Sequence, residues 1–208
     1  NRIARADAER AADLGASNVD SRGHLLAYFR DRAPDRDHVD PAVCVNALYL
    51  LHLLGRARDA AETEALVHRF LVDARHLEGT RYYQSPDTFL FFLARLCARF
   101  APARARFAAP LARALDARVG ASDSALELSL RVLARQRLGL DDRGERRVLA
   151  ARAAADGSFP SYALFRAGKR ATYYGCAALT TSFAAAAIDR RDGALSDAGP
   201  STYYAAPS

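Results

Sequence analysis

The sequence predicts an all-α protein, built from helical hairpins that form a partial or complete α/α toroid. Alanine, leucine and arginine, which are strong helix formers, are frequent along the chain. Hydrophobic residues make up 50% of it, as in globular proteins and unlike disordered ones. Apolar helical segments alternate with charged amphipathic ones at a spacing of roughly 40 residues, which is typical of helical-hairpin repeats.

The N-terminal part is predicted to lie at the edge of the domain. Residues 1–14 alternate alanine and arginine with acidic residues and carry little apolar surface, which indicates an exposed helix end. Residues 21–32 are predicted to form a short amphipathic helix, followed by a polar loop over 33–40. Because the sequence contains no methionine, Asn1 is not a natural start, and we expect an N-terminal part of the domain to be missing.

The first hairpin begins at a helix start signal. Asp40 can cap the helix, and Pro41 occupies the first helical position, where its missing N–H is not needed. Residues 42–54 are apolar on nearly all faces, which predicts a helix that its neighbours bury. Residues 60–77 carry one apolar stripe opposite charged residues, which predicts a half-exposed partner helix.

The second hairpin repeats this alternation. Ser85 and Pro86 start an apolar helix over 87–100, and residues 103–118 form the amphipathic partner. Pro110 is expected to kink or split that partner, because proline lacks an N–H and clashes with the preceding turn.

The third and fourth repeats follow the same pattern. Ser124 is followed three residues later by a glutamate, which is capping-box spacing, and opens an apolar helix over 125–138. Residues 143–155 form its charged partner, and residues 175–188 form a fourth apolar helix. Residues 1–208 are thus interpreted as one toroid-like domain, in which 190–208 form a loosely ordered tail.

The charge pattern argues against nucleic acid as a partner. The net charge is +6, from 30 basic and 24 acidic residues, but the arginines are scattered among the acids and form no dense run. Three widely spaced cysteines do not predict a disulfide framework, so we expect a reducing, cytoplasmic location. No apolar run approaches the roughly 20 residues of a membrane span.

The candidate catalytic residues are acids at the N-terminal ends of the apolar helices, where toroids commonly open their cavity. They are Asp40, Asp87 and Asp123. A general acid needs a protonated carboxyl group, which burial favours. Each of these aspartates could instead be a plain helix cap, which is the commoner role at such a position.

The candidate substrate-binding residues lie near the same helix ends, where partial positive charge suits anionic groups. They are Tyr82, Tyr83, Asn46, Phe159, Tyr173, Tyr174, Cys176 and Arg166. Arg166 belongs to the main local basic cluster and could contact a diphosphate, although a plain loop is the simpler interpretation. Cys44 and Cys176 could be thiolate nucleophiles at helix N-termini, or simply small buried residues.

No cofactor is predicted. A magnesium ion would be expected only if the substrate carried a diphosphate. A zinc site would require Asp87, Cys176 and a histidine to converge, and no pair of residues in the sequence has metal-ligand spacing. Zinc is therefore not expected.

The most distinctive segment spans residues 156–183. An Asp-Gly turn follows a helix there, and Phe159, Tyr162, Phe165, Tyr173 and Tyr174 come within a short distance. This segment resembles the aromatic repeats of the squalene–hopene cyclase and protein prenyltransferase superfamily, in which an acidic-Gly-Ser-aromatic turn joins an outer helix to the next inner one. YYQSPDTFLFF, at 82–92, is a weaker junction of the same kind.

The resemblance implies a terpenoid-cyclase-like enzyme, of lyase or isomerase type, that holds a hydrophobic isoprenoid in a central cavity. In such cyclases an aspartic acid protonates an alkene or epoxide, and aromatic faces stabilise the carbocation by roughly 0.5–2 kcal/mol per ring. The Asp-x-Asp-Asp motif of the family is not in the sequence, and residues 37–40 have a different acidic spacing. Either the acid belongs to the missing N-terminal part or the chemistry differs.

The alternative function is a non-catalytic helical-repeat module that binds a peptide or a partner protein along a concave face. A closed ring with a deep apolar pocket favours the enzyme, whereas an open superhelix with a polar groove favours the module. Because only part of a full ring of hairpins is visible in the sequence, a partner domain or a homo-oligomer could complete it.

Overall fold

The computed structural model describes residues 5–29, 37–121, 124–167 and 172–189. Within these ranges the chain forms eight α-helices, two single-turn 3-10 helices and one two-stranded hairpin. The helices are α1 Arg5–Ser17, α2 Pro41–Leu53, α3 Ala61–Val72, α4 Pro86–Arg99, α5 Ala101–Asp116, α6 Ala125–Leu138, α7 Arg143–Ala150 and α8 Ala177–Ile188. The 3-10 helices are Ala57–Ala60 and Arg75–Glu78, and the strands are β1 Phe165–Arg166 and β2 Tyr173–Tyr174. The predicted all-α fold class is confirmed.

The helices form two layers. In the first, α2, α4, α6 and α8 pack side by side in that order, and we call this layer the helical row. In the second, α3 packs on α2, α5 packs on α4 and α6, and α7 packs on α6 and α8. The four predicted apolar helices therefore lie in one layer and the three charged helices in the other. The toroid stays a prediction, because no extensive contact joins α2 to α8 in the described part of the chain.

The starts of the helices in the row agree with the predicted capping signals. The Asp40 carboxylate accepts the N–H groups of Ala42 and Val43 at 2.9 and 3.2 Å. The hydroxyl oxygens of Ser85 and Ser124 accept the N–H groups two and three residues later, at 3.2 and 3.3 Å. These short-range bonds satisfy N–H groups that have no partner inside the helix, which is why the sequence pattern locates the starts well.

The hydrophobic core lies between the two layers. Leu48, Leu90 and Leu130 of the row and Phe107 and Leu111 of α5 are almost completely buried. Each such side chain contributes about 1.5–3 kcal/mol through removal from water. The last helix of the row is an exception, because most of the alanines of α8 are exposed. An apolar helix with one exposed face marks the end of the row.

The predicted helix over 21–32 is wrong for the residues that the structure describes. Residues 21–29 contain no helix, and Val19 instead pairs with Leu25 in an isolated antiparallel bridge. The carboxylate of Asp20 accepts the N–H groups of Arg22 and His24, both at 2.8 Å. Such side-chain bonds offer the backbone an alternative to the helix, and they hold a tight turn here.

All three outer helices differ in extent from the prediction. The helix expected over 143–155 ends at Ala150. The helix expected over 60–77 ends at Val72, because Ala74 adopts a left-handed conformation with φ of 57°. The expected split of α5 does not occur, since the helix runs through Pro110 from Ala101 to Asp116. Buried side chains on both sides of Pro110 anchor α5 to the core and offset the lost hydrogen bond.

Several predictions concern residues outside the described ranges. The expected exposed start of the chain at 1–4 and the expected loose tail at 190–208 both lie there. Within the described residues, no helix combines the length and the apolar character that crossing a bilayer requires.

Candidate functional site

A buried ion-pair network lies at the start of α4. Asp87, which is fully buried, accepts hydrogen bonds from Nε and Nη2 of Arg118 on its two oxygens, both at 2.8 Å. One of these oxygens also accepts Nη1 of Arg131, at 2.8 Å. Arg131 is itself fully buried, and its Nε donates to Glu145 of α7 at 2.7 Å. The network thus ties α4 and α6 to the outer layer.

These contacts favour a structural role for Asp87. The carboxylate faces two guanidinium groups and accepts every hydrogen bond that they donate to it. A general acid must instead offer a proton to a substrate. Removing one partner of a buried pair leaves an uncompensated charge, which costs about 3–5 kcal/mol. The catalytic role of Asp87 stays a prediction that the geometry does not support. Asp123 lies outside the described residues, so its role stays a prediction as well.

Asp40 has a different environment. It is 1% exposed, and one of its oxygens caps α2. The other oxygen accepts the backbone N–H of Tyr82 over a longer distance of 3.4 Å. Asp40 therefore joins the start of α2 to the segment that precedes α4, and it touches the backbone of a predicted substrate-binding residue.

Aromatic side chains converge beside Asp40. The ring of Phe165, in β1, stacks on Tyr82 with a centroid distance of 5.8 Å and an interplanar angle of 9°. Tyr83 meets Phe165 edge-on at 5.7 Å, and Tyr174 of β2 lies 6.0 Å from it. Tyr83 also contacts Phe92 of α4 at 5.3 Å. We call Tyr82, Tyr83, Phe92, Phe165 and Tyr174 the aromatic cluster.

The two-stranded hairpin positions the cluster. Phe165 pairs with Tyr174 in the antiparallel register, which places both rings at one end of the ladder. The N–H of Arg166 donates to the carbonyl of Tyr82 at 2.8 Å, and its Nε donates to the carbonyl of Arg81 at 3.2 Å. Arg166, predicted to contact substrate, thus attaches the hairpin to the chain before α4.

Gly175 lets the hairpin close. A Cβ atom at this position would lie 1.9 Å from the carbonyl oxygen of Tyr162, a distance that no side chain can adopt. The backbone approach therefore requires glycine here.

The phenols of Tyr82 and Tyr83 are uncharged near pH 7. Burial raises the pKa of Tyr82 and of Tyr83 above the usual phenol value. His38 lies 5.7 Å from the ring of Tyr82, and burial, reinforced by Arg81, lowers its pKa. The cluster consequently presents uncharged π surfaces, which suit an apolar ligand or a ligand that develops positive charge.

The other predicted binding residues are more dispersed. Tyr173 lies in β2 and is 50% exposed, without a ring contact in the described structure. Asn46 is exposed on α2, and Phe159 is buried in the core, where its N–H donates to Thr181 at 3.0 Å. Cys176 caps α8 by accepting the N–H of Leu179 at 3.4 Å. The structure thus brings Tyr82, Tyr83, Tyr174 and Arg166 together. Tyr173 pairs with Arg166 in the same hairpin, and the other three residues lie elsewhere.

The cysteines and potential metal ligands add little to the site. Burial raises the pKa of Cys44 to about 12, which does not favour a thiolate there. Among the residues that the structure describes, no three His, Cys, Asp or Glu side chains converge as metal ligands do. The prediction that no cofactor is used, with magnesium only for a diphosphate substrate, stays a prediction.

Phe92 and Phe165 are cluster members that were not among the predicted binding residues. Phe165 belongs to the aromatic segment that the sequence singles out, and the Asp-Gly turn before it was the available signal. Phe92 lies within an apolar helix, where periodicity alone does not separate a ring in the core from a ring in a site.

Comparison with known proteins supports the resemblance that the sequence predicts. No protein-family model and no solved structure matches the chain. The chain is 32% identical, over 174 residues, to the drimenol cyclase drtB of Aspergillus calidoustus. The match covers 83% of this chain and 32% of that protein, so the chain spans about a third of the length of the relative. The resemblance to terpenoid cyclases that the sequence predicts is therefore confirmed, and this chain is similar to a terpenoid cyclase.

Proposed function

We propose that the chain is part of a terpenoid-cyclase-like enzyme that binds a hydrophobic isoprenoid against the aromatic cluster. The observation that carries the proposal is the convergence of Tyr82, Tyr83, Phe165 and Tyr174 next to the N-terminal end of α4. The similarity to a drimenol cyclase supports the same substrate class.

The cluster would act through its ring faces. A cation above an aromatic face gains roughly 0.5–2 kcal/mol, and more where water is excluded. Neutral phenols and phenyl rings stabilise positive charge through the electron density of their faces. In this proposal the cluster holds the isoprenoid chain and stabilises the carbocation that develops during cyclisation.

Asp40 is the predicted acid that lies beside the cluster. One of its oxygens is committed to the cap of α2, and the other makes a long bond of 3.4 Å to Tyr82. This second oxygen is the one that would carry and deliver a proton. We therefore rank Asp40 above Asp87, whose oxygens are held by Arg118 and Arg131.

The helical row would be one wall of a central cavity. Exposed alanines on α8 and the greater length of the relative support closure of the row by a further domain or by a second copy. In that arrangement the open side of the row, opposite α3, α5 and α7, becomes the inside of the toroid.

Binding of a prenyl alcohol, measured by native mass spectrometry and calorimetry, tests the proposal. Phe165→Leu, which keeps the side chain apolar but removes the ring, should weaken binding at least fivefold. Leu77→Ala, at an exposed position next to the outer layer, is the matched control and should bind normally. Failure of the unaltered protein to bind any prenyl alcohol or prenyl diphosphate, together with binding of peptides along the row, would favour the non-catalytic repeat module.

A further inference from the structure

We propose that Arg95 and Arg137 form a binding site for a phosphate or diphosphate group on the open side of the helical row. That the group is carried by an isoprenoid rests on the proposed function, whereas the anion site itself rests on the geometry of the two arginines.

The arginines of α6 divide between two sides of the helix. Arg131 and Arg135 point towards the outer layer, where Arg131 pairs with Glu145 and Arg135 pairs with Asp116 at 2.7 Å. Arg137 is two residues further on, which is about 200° around a helix of 3.6 residues per turn. It therefore points away from the outer layer, and its guanidinium lies 4.8 Å from the ring centroid of Phe91 in α4.

Arg95 occupies the neighbouring position on α4. Its guanidinium lies 5.3 Å from the ring centroid of Tyr49 in α2. Arg95 is four residues beyond Phe91 and therefore lies on the same face of α4, next to the ring over which the Arg137 guanidinium lies. In agreement with this placement, burial lowers the pKa of Arg137 and the charge of Arg95 adds to the effect. Both side chains are half-buried, so water compensates their charges only in part.

Neither guanidinium has a carboxylate partner among the described residues. The contacts of Arg137 are the ring of Phe91 and the carbonyl oxygen of Leu133, to which Nη1 donates at 3.1 Å. The row offers few acids, because α2 and α8 contain none. The acids of α4 and α6, Asp87 and Glu127, both lie in the first turn, far along the helix from the arginines.

Two partly buried cations side by side are unfavourable without an anion. Ring faces offset part of this cost, but they supply no formal negative charge. The planar guanidinium matches phosphate oxygens in a two-pronged arrangement, and two guanidinium groups suit a group with two or more negative charges. Arg131 provides the contrast, because it is fully buried and pairs with the carboxylates of Asp87 and Glu145, as expected for an arginine with a structural role.

A series of ring contacts connects the arginine pair to the aromatic cluster. Tyr83 contacts Phe92 at 5.3 Å, and Phe92 contacts Phe91 at 6.0 Å. The guanidinium of Arg137 lies over the ring of Phe91. Arg95 lies one turn beyond Phe92 in α4, about 4.5 Å along the helix axis. A ligand with its charged head on the arginines could therefore lay an apolar chain along these rings towards the cluster.

Calorimetric titration with inorganic pyrophosphate at low salt tests the anion site without an isoprenoid. The unaltered protein should bind, and Arg95→Gln and Arg137→Gln should each weaken binding at least tenfold. Arg69→Gln removes an equal charge from the exposed face of α3 and should change binding less than twofold. Thermal unfolding of each variant without ligand should show no loss of stability, because a repulsive charge has been removed.

A prenyl alcohol and a prenyl diphosphate separate this site from the proposed function. The alcohol should bind equally to the unaltered protein and to Arg137→Gln, whereas the diphosphate should discriminate between them tenfold or more. Equal pyrophosphate binding by Arg69→Gln and Arg137→Gln, or no pyrophosphate binding at all, would overturn the anion site even if the alcohol still bound. Loss of alcohol binding alone would count against the isoprenoid proposal and leave the anion site standing.

Discussion

The two sides of the helical row treat charge in opposite ways. On the side that faces the outer layer, Asp87, Arg118, Arg131 and Glu145 form a closed network in which each charge meets its opposite. On the open side, the guanidinium groups of Arg95 and Arg137 lie over aromatic rings, and neither has a carboxylate partner among the described residues. Compensated buried charges therefore hold the layers together, whereas the uncompensated arginines are the ones proposed to bind a ligand. Five predictions test this contrast.

The largest effect should come from the closed side. Asp87→Asn leaves Arg131 buried with one carboxylate fewer and should lower the free energy of unfolding by about 3–5 kcal/mol. Urea denaturation followed by circular dichroism measures this loss. Arg56→Gln, which removes an exposed pair with Asp13 and Asp59, is the control and should cost less than about 1 kcal/mol. Equal losses in the two variants would show that the network does not hold the layers.

Gly175→Ala should have the next largest effect, on the open side. The added Cβ collides with the carbonyl of Tyr162, so the hairpin must shift, at about 1–3 kcal/mol of stability. Because the hairpin carries Phe165 and Tyr174, prenyl alcohol binding should weaken as well. Gly144→Ala, in α7 with open space around it, should instead stabilise by about 0.5–1 kcal/mol. Unchanged prenyl alcohol binding by Gly175→Ala would show that the hairpin is not part of the binding site.

Asp40 joins the cap of α2 to the open side, and two substitutions separate its roles. Asp40→Ala removes the cap and should cost about 1 kcal/mol, whereas Asp40→Asn keeps a capping oxygen and should preserve stability. If Asp40 is the acid, both variants lose turnover of a prenyl substrate in a product assay by gas chromatography. Full turnover by a stable Asp40→Asn protein would assign the aspartate to the cap alone.

Histidines on both sides should make stability fall in acid. Burial lowers the pKa of His52, stacked on Phe100, and of His76, stacked on Phe89. Below the ordinary histidine value of 6.5 the unfolded chain therefore binds protons that the folded chain does not. Unfolding free energy should change little between pH 7 and 8 and decrease between pH 6.5 and 5. Replacing both histidines with glutamine should flatten this decrease, and an unchanged slope would assign it to other groups.

The smallest effect is expected for Arg137→Gln without ligand. Arg137 has no acidic partner among the described residues. The unfolding free energy of the variant should therefore stay within about 0.5 kcal/mol of that of the unaltered protein or rise slightly. The same denaturation series should place it well apart from Asp87→Asn. A loss of several kcal/mol would mean that Arg137 belongs to the structural charges after all.

Sequence reasoning did not anticipate the partners that distant segments supply, and it also missed one local turn. Asp87 carries the signature of a candidate acid at a helix start, but its partners lie 31 and 44 residues away. The segment over 21–29 has an amphipathic pattern, yet the turn at Asp20 and the bridge to Val19 take precedence there. Helix periodicity does not show which of the predicted binding residues the two-stranded hairpin brings to Tyr82.

Local sequence patterns are enough to locate the four apolar helices and the starts of three of them, at Asp40, Ser85 and Ser124. Those features depend on side-chain periodicity and on hydrogen bonds that span only two or three residues. Tertiary structure alone decided which charges are neutralised and which rings meet, as with Arg166, which bonds a carbonyl 85 residues earlier. Such pairings arise only when helices pack, because packing sets which side chains come within reach and which remain exposed to a ligand.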